Sequence, residues 1–175
     1  GKVKSAAEMA EESGISELRP MAKLADLVAE AKGRTIHYLP PYRHENMMVI
    51  ERLLGIKAEE QKARASVTLI KAIVKLRSIK SEEEIAELER AAAIGYKMHT
   101  TAMQLVTKPG MTEAYISGVL EGIAASLGSI ASFGNIVTVH GEIMHGCPSP
   151  RALEQGRLLL VDAGAETFEH YCSDN

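Results

Sequence analysis

The chain has 175 residues, with 20 basic and 23 acidic side chains and a formal charge of −3. A balance this close to neutral excludes the basic footprint of a nucleic-acid binder and offers no electrostatic pull toward an anionic membrane. No apolar run approaches the ~20 residues needed to cross a bilayer, the start has no secretory leader pattern, and two cysteines, Cys147 and Cys172, make no disulfide framework. The expectation is a cytoplasmic protein with room for one or two small domains. Gly1 in place of Met suggests a tag scar or a chain cut from a longer one.

Residues 5–13 read as a helix stopped by Gly14. Pro20 opens a second helix with Leu24, Leu27, Val28 and Ala31 on one face and Gly33 just beyond its end. Residues 35–39 (TIHYL) are a β-branched and aromatic run closed by Pro40-Pro41, which predicts a short strand. A third helix over 46–54 ends at Gly55. The order of helix, helix, strand and helix belongs to an α/β domain with a parallel or mixed sheet, the partners of the lone strand being expected upstream of residue 1. Tyr38, Tyr42, Arg43 and His44 read as a loop rich in polar aromatics and His37 as a packed or edge histidine, with no metal quartet among them.

A helix over 66–76 leads to RSIKSEEEIAELERA, where Ser81 is an N-cap and Glu84 closes a capping box. The glutamates that follow Ser81 are accounted for by the positive end of the helix dipole. From 82 to 106 an apolar stripe runs through Ile85, Leu88, Ala92, Gly95, Ala102 and Leu105, with His99 inside it as a satisfied, half-buried histidine. Pro109-Gly110 makes a turn, Thr112 caps the next helix, and Ile116, Val119, Leu120, Ile123 and Leu127 give its buried face. Residues 133–140 and 142–145 read as strand pieces around Gly141, and Pro148, Pro150 and Gly156 shape the connection that follows.

The chain is organised around its last eighteen residues, LLLVDAGAETFEHYCSDN. Residues 158–161 are apolar without alternation, as in a strand buried on both faces. The strand ends on Asp162, and after a polar turn the chain returns through Phe168 and Cys172 to a second acid, Asp174. A hairpin centred near Phe168 sets Asp162 and Asp174 opposite each other, with Cβ atoms roughly 5 Å apart. Carboxylates that close repel unless a cation lies between them or one keeps its proton. The alternative is two acids at turn ends, where Asp is common.

Four stretches, in this order, resemble the pita-bread metallopeptidases (peptidase family M24): Arg77-Ser78-Ile79-Lys80-Ser81, Lys108-Pro109-Gly110-Met111-Thr112-Glu113, His145-Gly146, and Asp162-Ala163-Gly164 with Tyr171 and Asp174. The texture is similar to bacterial Xaa-Pro aminopeptidases and Xaa-Pro dipeptidases. The resemblance implies an α/β fold in which residues 1–76 are the C-terminal part of an α/β N-terminal domain and 77–175 the first half of a pita-bread catalytic domain. It implies metal-dependent hydrolysis of the peptide bond before proline in peptides with proline at the second position. Asp162 and Asp174 would be ligands of two divalent ions, Mn²⁺ foremost, with Zn²⁺ or Co²⁺ also able to bind such a set. His145, rather than His140, would contact the substrate or the tetrahedral intermediate without binding metal. Cys172 is expected to stand beside the ligands or to pack rather than to bind metal, since thiolate is foreign to that ligand set. The family's acids are usually one residue closer, so an insertion or bulge in the hairpin is expected. The remaining ligands, one His and two Glu, fall after Asn175, so the segment alone is expected to be inactive, with exposed apolar faces along 158–161 and beside 35–39. The full-length protein would be a homodimer. Alternatives are an inactive pita-bread peptide- or protein-binding module and a creatinase-like amidinohydrolase.

Overall fold

The structure is a computed structural model and describes residues 3–31, 33–143 and 145–175. The chain divides into two compact units, Gly1–Ser78 and Ile79–Asn175.

The first unit is helical among its described residues. Helix α1 (Ala6–Ser13) starts at Ser5, whose side chain and backbone N–H exchange hydrogen bonds with Glu8 as a capping box, and stops at Gly14. A 3-10 turn (Met21–Lys23) runs into α2 (Leu24–Glu30), followed by α3 (His44–Leu54), α4 (Ala58–Arg64) and α5 (Val67–Ser78). Helix α4 has no side-chain cap; Glu59 and Glu60 in its first turn and Lys62 and Arg64 in its last suit the helix dipole, and tertiary bonds hold it. Gln61 is wholly buried and donates from Nε2 to the carbonyls of Met47 (2.9 Å) and Ile56 (2.8 Å).

Residues 35–39 do not form the expected strand. β-propensity describes fit to a pleated surface beside a neighbour, and among the described residues of this unit there is no second strand. The segment is tied instead to the α4–α5 junction: Ser66 N–H donates to the Tyr38 carbonyl (3.0 Å), Tyr38 Oη donates to the Gln61 carbonyl (3.0 Å), and His37 Nδ1 bonds Ser66 Oγ (2.6 Å). Ile36 and Leu39 stay exposed.

The second unit packs two helices on one face of short antiparallel strands. Helix α6 (Glu82–Leu105) begins with the Ser81–Glu84 capping box, and α7 (Glu113–Ser126) begins at Thr112, whose Oγ1 accepts from Tyr115 N–H (3.0 Å). Among the described residues four strands follow: β1 (Ile130–Ala131), β2 (Ile136–Thr138), β3 (Leu160–Asp162) and β4 (Ala165–Glu166). Strand β1 pairs with β4, and β2 with β3, all antiparallel. Residues 142–143 form a turn rather than the expected strand piece, and Met144 of that piece lies outside the described residues.

The core joins Ile94, Met98 and Ala102 of α6 to Ile116, Leu120 and Ala124 of α7 over Val137, Ala163 and Ala165. Met98, Ile116 and Leu120 are fully buried, each worth ~1.5–3 kcal/mol of apolar transfer. The stripe on α6 differs from the expected one near its start: Ile85 and Ala92 are exposed, and Ile94 and Met98 carry the contact. Strand β3 shows the exposed apolar face expected of this segment: Leu159 and Val161 pack on the core, whereas Leu158 (92 % exposed) and Leu160 (37 %) face outward.

Candidate functional site

The sheet faces alternate around the hairpin. Ala163, Ala165 and Thr167 are buried against the helices, which turns Asp162 and Glu166 to the opposite face. Thr167 N–H donates to the Tyr171 carbonyl (2.9 Å), His170 N–H donates to the Thr167 carbonyl (2.9 Å), and His170 has φ 64°. The loop is thus three residues, 168–170, with its last in the left-handed region, a common hairpin closure. Its register is continued by the Glu166–Cys172 bridge and by Ser173 N–H to Ala165 O (3.0 Å) and Ala163 N–H to Asn175 O (3.0 Å).

That register centres the hairpin on Glu169, one residue past the expected Phe168. Asp174 therefore stands opposite Gly164, not Asp162. The two acids still share a face, as diagonal neighbours, for which Cβ separations are roughly 7–8 Å or somewhat less.

Gly164 has a steric reason. A Cβ there would clash with the Ser173 carbonyl oxygen and lie 2.5 Å from Ser132 Oγ. Ser132 Oγ occupies that space and donates to the Ser173 carbonyl (3.0 Å), while Ser132 N–H donates to Gly164 O (3.1 Å). Beyond Ser132 the ladder breaks. Ala131 pairs with Ala165 but Ile136 pairs with Asp162, so residues 133–135 bulge opposite Ala163. The hairpin is anchored to α6 by His99 Nε2, which donates to the Ala163 carbonyl (3.0 Å), and by Tyr171 Oη, which donates to Glu84 Oε1 (2.9 Å). His99 is thus the satisfied, half-buried histidine its sequence position suggested.

A cavity of about 600 Å³ brings together residues of the hairpin, the bulge, α7 and the loop after β2. Asp162 and Asp174 line it from the hairpin, His145 and Cys147 from the loop after β2, Asn135 from the bulge and Glu121 from α7. His140 does not line it. Its Nε2 accepts from Arg151 Nη1 (2.7 Å), which leaves Nδ1 to donate to Glu142 (2.9 Å). Sequence reasoning missed Asn135, Glu121 and Cys147, because a bulge and a helix face reach the cavity only through tertiary packing.

The Asp162 carboxylate tests whether a cation suits this place. Its Oδ1 is buried with no hydrogen-bond partner among the described residues. An anionic oxygen out of water and unpaired is costly, and a divalent ion against it would remove that cost. Two carboxylates are hard oxygen donors of the kind such ions take. They make only part of a site: no cluster of three or more His, Cys, Asp or Glu able to hold a metal occurs among the described residues. Cys172, opposite Glu166, is exposed on this face. Partial desolvation and then the nearby Glu166 and Asp174 carboxylates raise its thiol above the ordinary value, which keeps it protonated.

Glu113 supplies the remaining electrostatic feature. It is 3 % exposed, and its Oε1 and Oε2 accept from Val139 N–H (2.7 Å) and Ser149 N–H (3.0 Å). Burial pushes its carboxyl up, but these backbone donors outweigh burial and hold it below the usual range.

Residues 86–175 match the metallopeptidase family M24. The uncharacterized peptidase YqhT of Bacillus subtilis (strain 168) is 34% identical over 111 residues, covering 62% of this chain and 31% of that protein. An uncharacterized peptidase of Staphylococcus aureus (strain USA300) is 34% identical over 105 residues, 58% of this chain and 29% of its own. The chain thus spans about a third of the length of these relatives. Among solved structures, Pseudomonas aeruginosa aminopeptidase PepP superposes with a TM-score of 0.75 at 22% identity, over 96% of this chain and 40% of that one. Prolidase from Pyrococcus furiosus gives 0.68 at 22% identity, over 95% and 52%. At such identities the likeness is one of fold: a mixed α/β architecture matching a pita-bread catalytic half-domain preceded by a helical region. Because the family match takes in 90 residues, from the first turns of α6 through both acids of the hairpin, this chain belongs to metallopeptidase family M24.

Proposed function

We propose that the complete protein is a metal-dependent peptidase that hydrolyses the bond before proline, releasing the N-terminal residue from Xaa-Pro peptides in the manner of aminopeptidase P or prolidase. The observation that carries the reading is the cavity in which Asp162, Asp174 and His145 meet, with one Asp162 oxygen buried and unpaired. The fold likeness to a prolidase and an aminopeptidase supports the substrate class. On this reading residues 1–76 close an N-terminal domain and 77–175 begin the catalytic one, the protein being a cytoplasmic homodimer.

Asp162 and Asp174 would hold two divalent ions, Mn²⁺ by the hardness of the donors, with Zn²⁺ or Co²⁺ as substitutes. Such ions, when bound, make water nucleophilic near neutral pH and stabilise charge on a carbonyl oxygen. That both acids line one cavity supports this reading. His145 donates a hydrogen bond to the carbonyl oxygen on which charge develops.

The test is an assay of the complete protein with Mn²⁺ on a tripeptide Xaa-Pro-Yaa and a dipeptide Xaa-Pro. Cleavage of the tripeptide identifies an aminopeptidase, and cleavage of the dipeptide alone a prolidase. Loss of turnover in Asp162→Asn and Asp174→Asn, with the fold retained, is expected. Absence of metal-dependent cleavage of either peptide refutes the proposal in favour of a binding module.

A further inference from the structure

Glu113 is buried for a reason that its own helix does not supply. An acid in the first turn favours the helix dipole from the surface, as Glu82 and Glu83 do in α6, where both are exposed. Glu113 instead reaches out of α7 to the two ends of one loop, Val139 N–H at its start and Ser149 N–H at its finish. Ala114 N–H returns a bond to the Ser149 carbonyl (2.9 Å), and an isolated bridge joins Thr112 to Ala152 just beyond. The stem of the loop is therefore fastened to the α7 N-terminus, with the carboxylate spanning both sides.

The loop carries His145, which lines the cavity with φ 60°. A non-glycine residue holds the left-handed region only where its surroundings over-determine it. A free loop would relax that residue and withdraw the imidazole from the cavity wall. Closing both ends on one rigid helix terminus shortens the path the loop must take.

We propose that Glu113 is a positioning residue for His145: its carboxylate fixes both ends of the loop and so the place of the imidazole in the cavity. The role of His145 in turnover rests on the peptidase reading above; the tether does not.

The experiment compares wild type with Glu113→Gln in the complete protein. The amide keeps one acceptor but turns an NH₂ toward the second N–H. Loss of a bond to a charged acceptor should speed hydrogen exchange at Val139 and Ser149 about 10-fold or more, leave the core amides of α6 and α7 unchanged, and shift the His145 imidazole resonances. In turnover, kcat should fall about 10-fold while KM and Mn²⁺ affinity move less than about twofold, and Glu113→Asp should recover part of kcat. Unchanged exchange at the two amides, an equal acceleration throughout both helices, or a loosened loop with undiminished kcat overturns the proposal. If Glu113→Gln does not fold, Glu113→Asp, which keeps the charge but is one methylene short, must show the same loop-restricted exchange; general loosening there overturns it. If wild type cleaves neither peptide, the peptidase reading has failed, and exchange with the His145 resonances alone decides the tether.

Discussion

Replacing Gly164 by Ala adds one methyl group at the closest backbone approach in the hairpin. The new Cβ would clash with the Ser173 carbonyl oxygen and lie 2.5 Å from Ser132 Oγ and 2.7 Å from the Ser173 carbonyl carbon. Backbone cannot step aside as a side-chain tip can, so the arm carrying Asp174 must shift. The shift breaks the Ser132 Oγ bond to Ser173 O (3.0 Å) and strains the neighbouring Ala163 N–H bond to Asn175 O (3.0 Å). Overpacking costs ~1–3 kcal/mol, and each hydrogen bond lost adds ~0.5–1.5 kcal/mol. Together these destabilise the protein by about 1.5–4.5 kcal/mol. Gly118, in α7, is the control: nothing lies within 4 Å of its added Cβ, so Gly118→Ala should stabilise by ~0.5–1 kcal/mol through helix propensity. Urea unfolding of both variants at constant m measures the difference. A Gly164→Ala protein within ~0.5 kcal/mol of wild type, or one no worse than Gly118→Ala, would refute the close-packed register described here.

Removing the charge at Asp162 should act oppositely with and without metal. In chelator, Asp162→Asn relieves the buried, unpaired Oδ1 and should match or exceed wild type in Tm; saturating Mn²⁺ at 100 times Kd should raise wild type by ~2.7 kcal/mol and leave the variant unmoved. The acid limb of stability should depend on Glu113. Its folded pKa is depressed, so its contribution is present above the ordinary 4.5 and lost as pH falls through the lower folded value. Urea midpoints from pH 7 to 3 should fall less steeply in Glu113→Gln. Tyr171→Phe deletes the donor to Glu84 Oε1 (2.9 Å) and should cost ~1.5–3 kcal/mol at most, read as faster exchange in the return arm.

The helix starts and stops were legible in the sequence because their chemistry closes within one turn. Ser81 with Glu84, Thr112 ahead of α7, and Gly14 behind α1 satisfy backbone groups three or four residues away, so no distant partner is consulted. The family was legible for a similar reason: Asp162, Gly164, Tyr171 and Asp174 are close in sequence, and their order survives any register. What lies between strands was decided only in three dimensions. Residues 35–39 have strand composition but no strand beside them among the described residues, and they bond instead to Gln61 and Ser66. The hairpin centre moved from Phe168 to Glu169 because His170 takes the left-handed region, and that single step exchanged Asp162 for Gly164 as the residue facing Asp174. The bulge at 133–135 and the reach of Glu113 to Val139 and Ser149 likewise join residues separated by up to 36 positions. Local capping depends on bonds whose partners are already in sequence order, whereas register, bulges and tethers depend on which distant backbone groups remain to be satisfied once the core has closed.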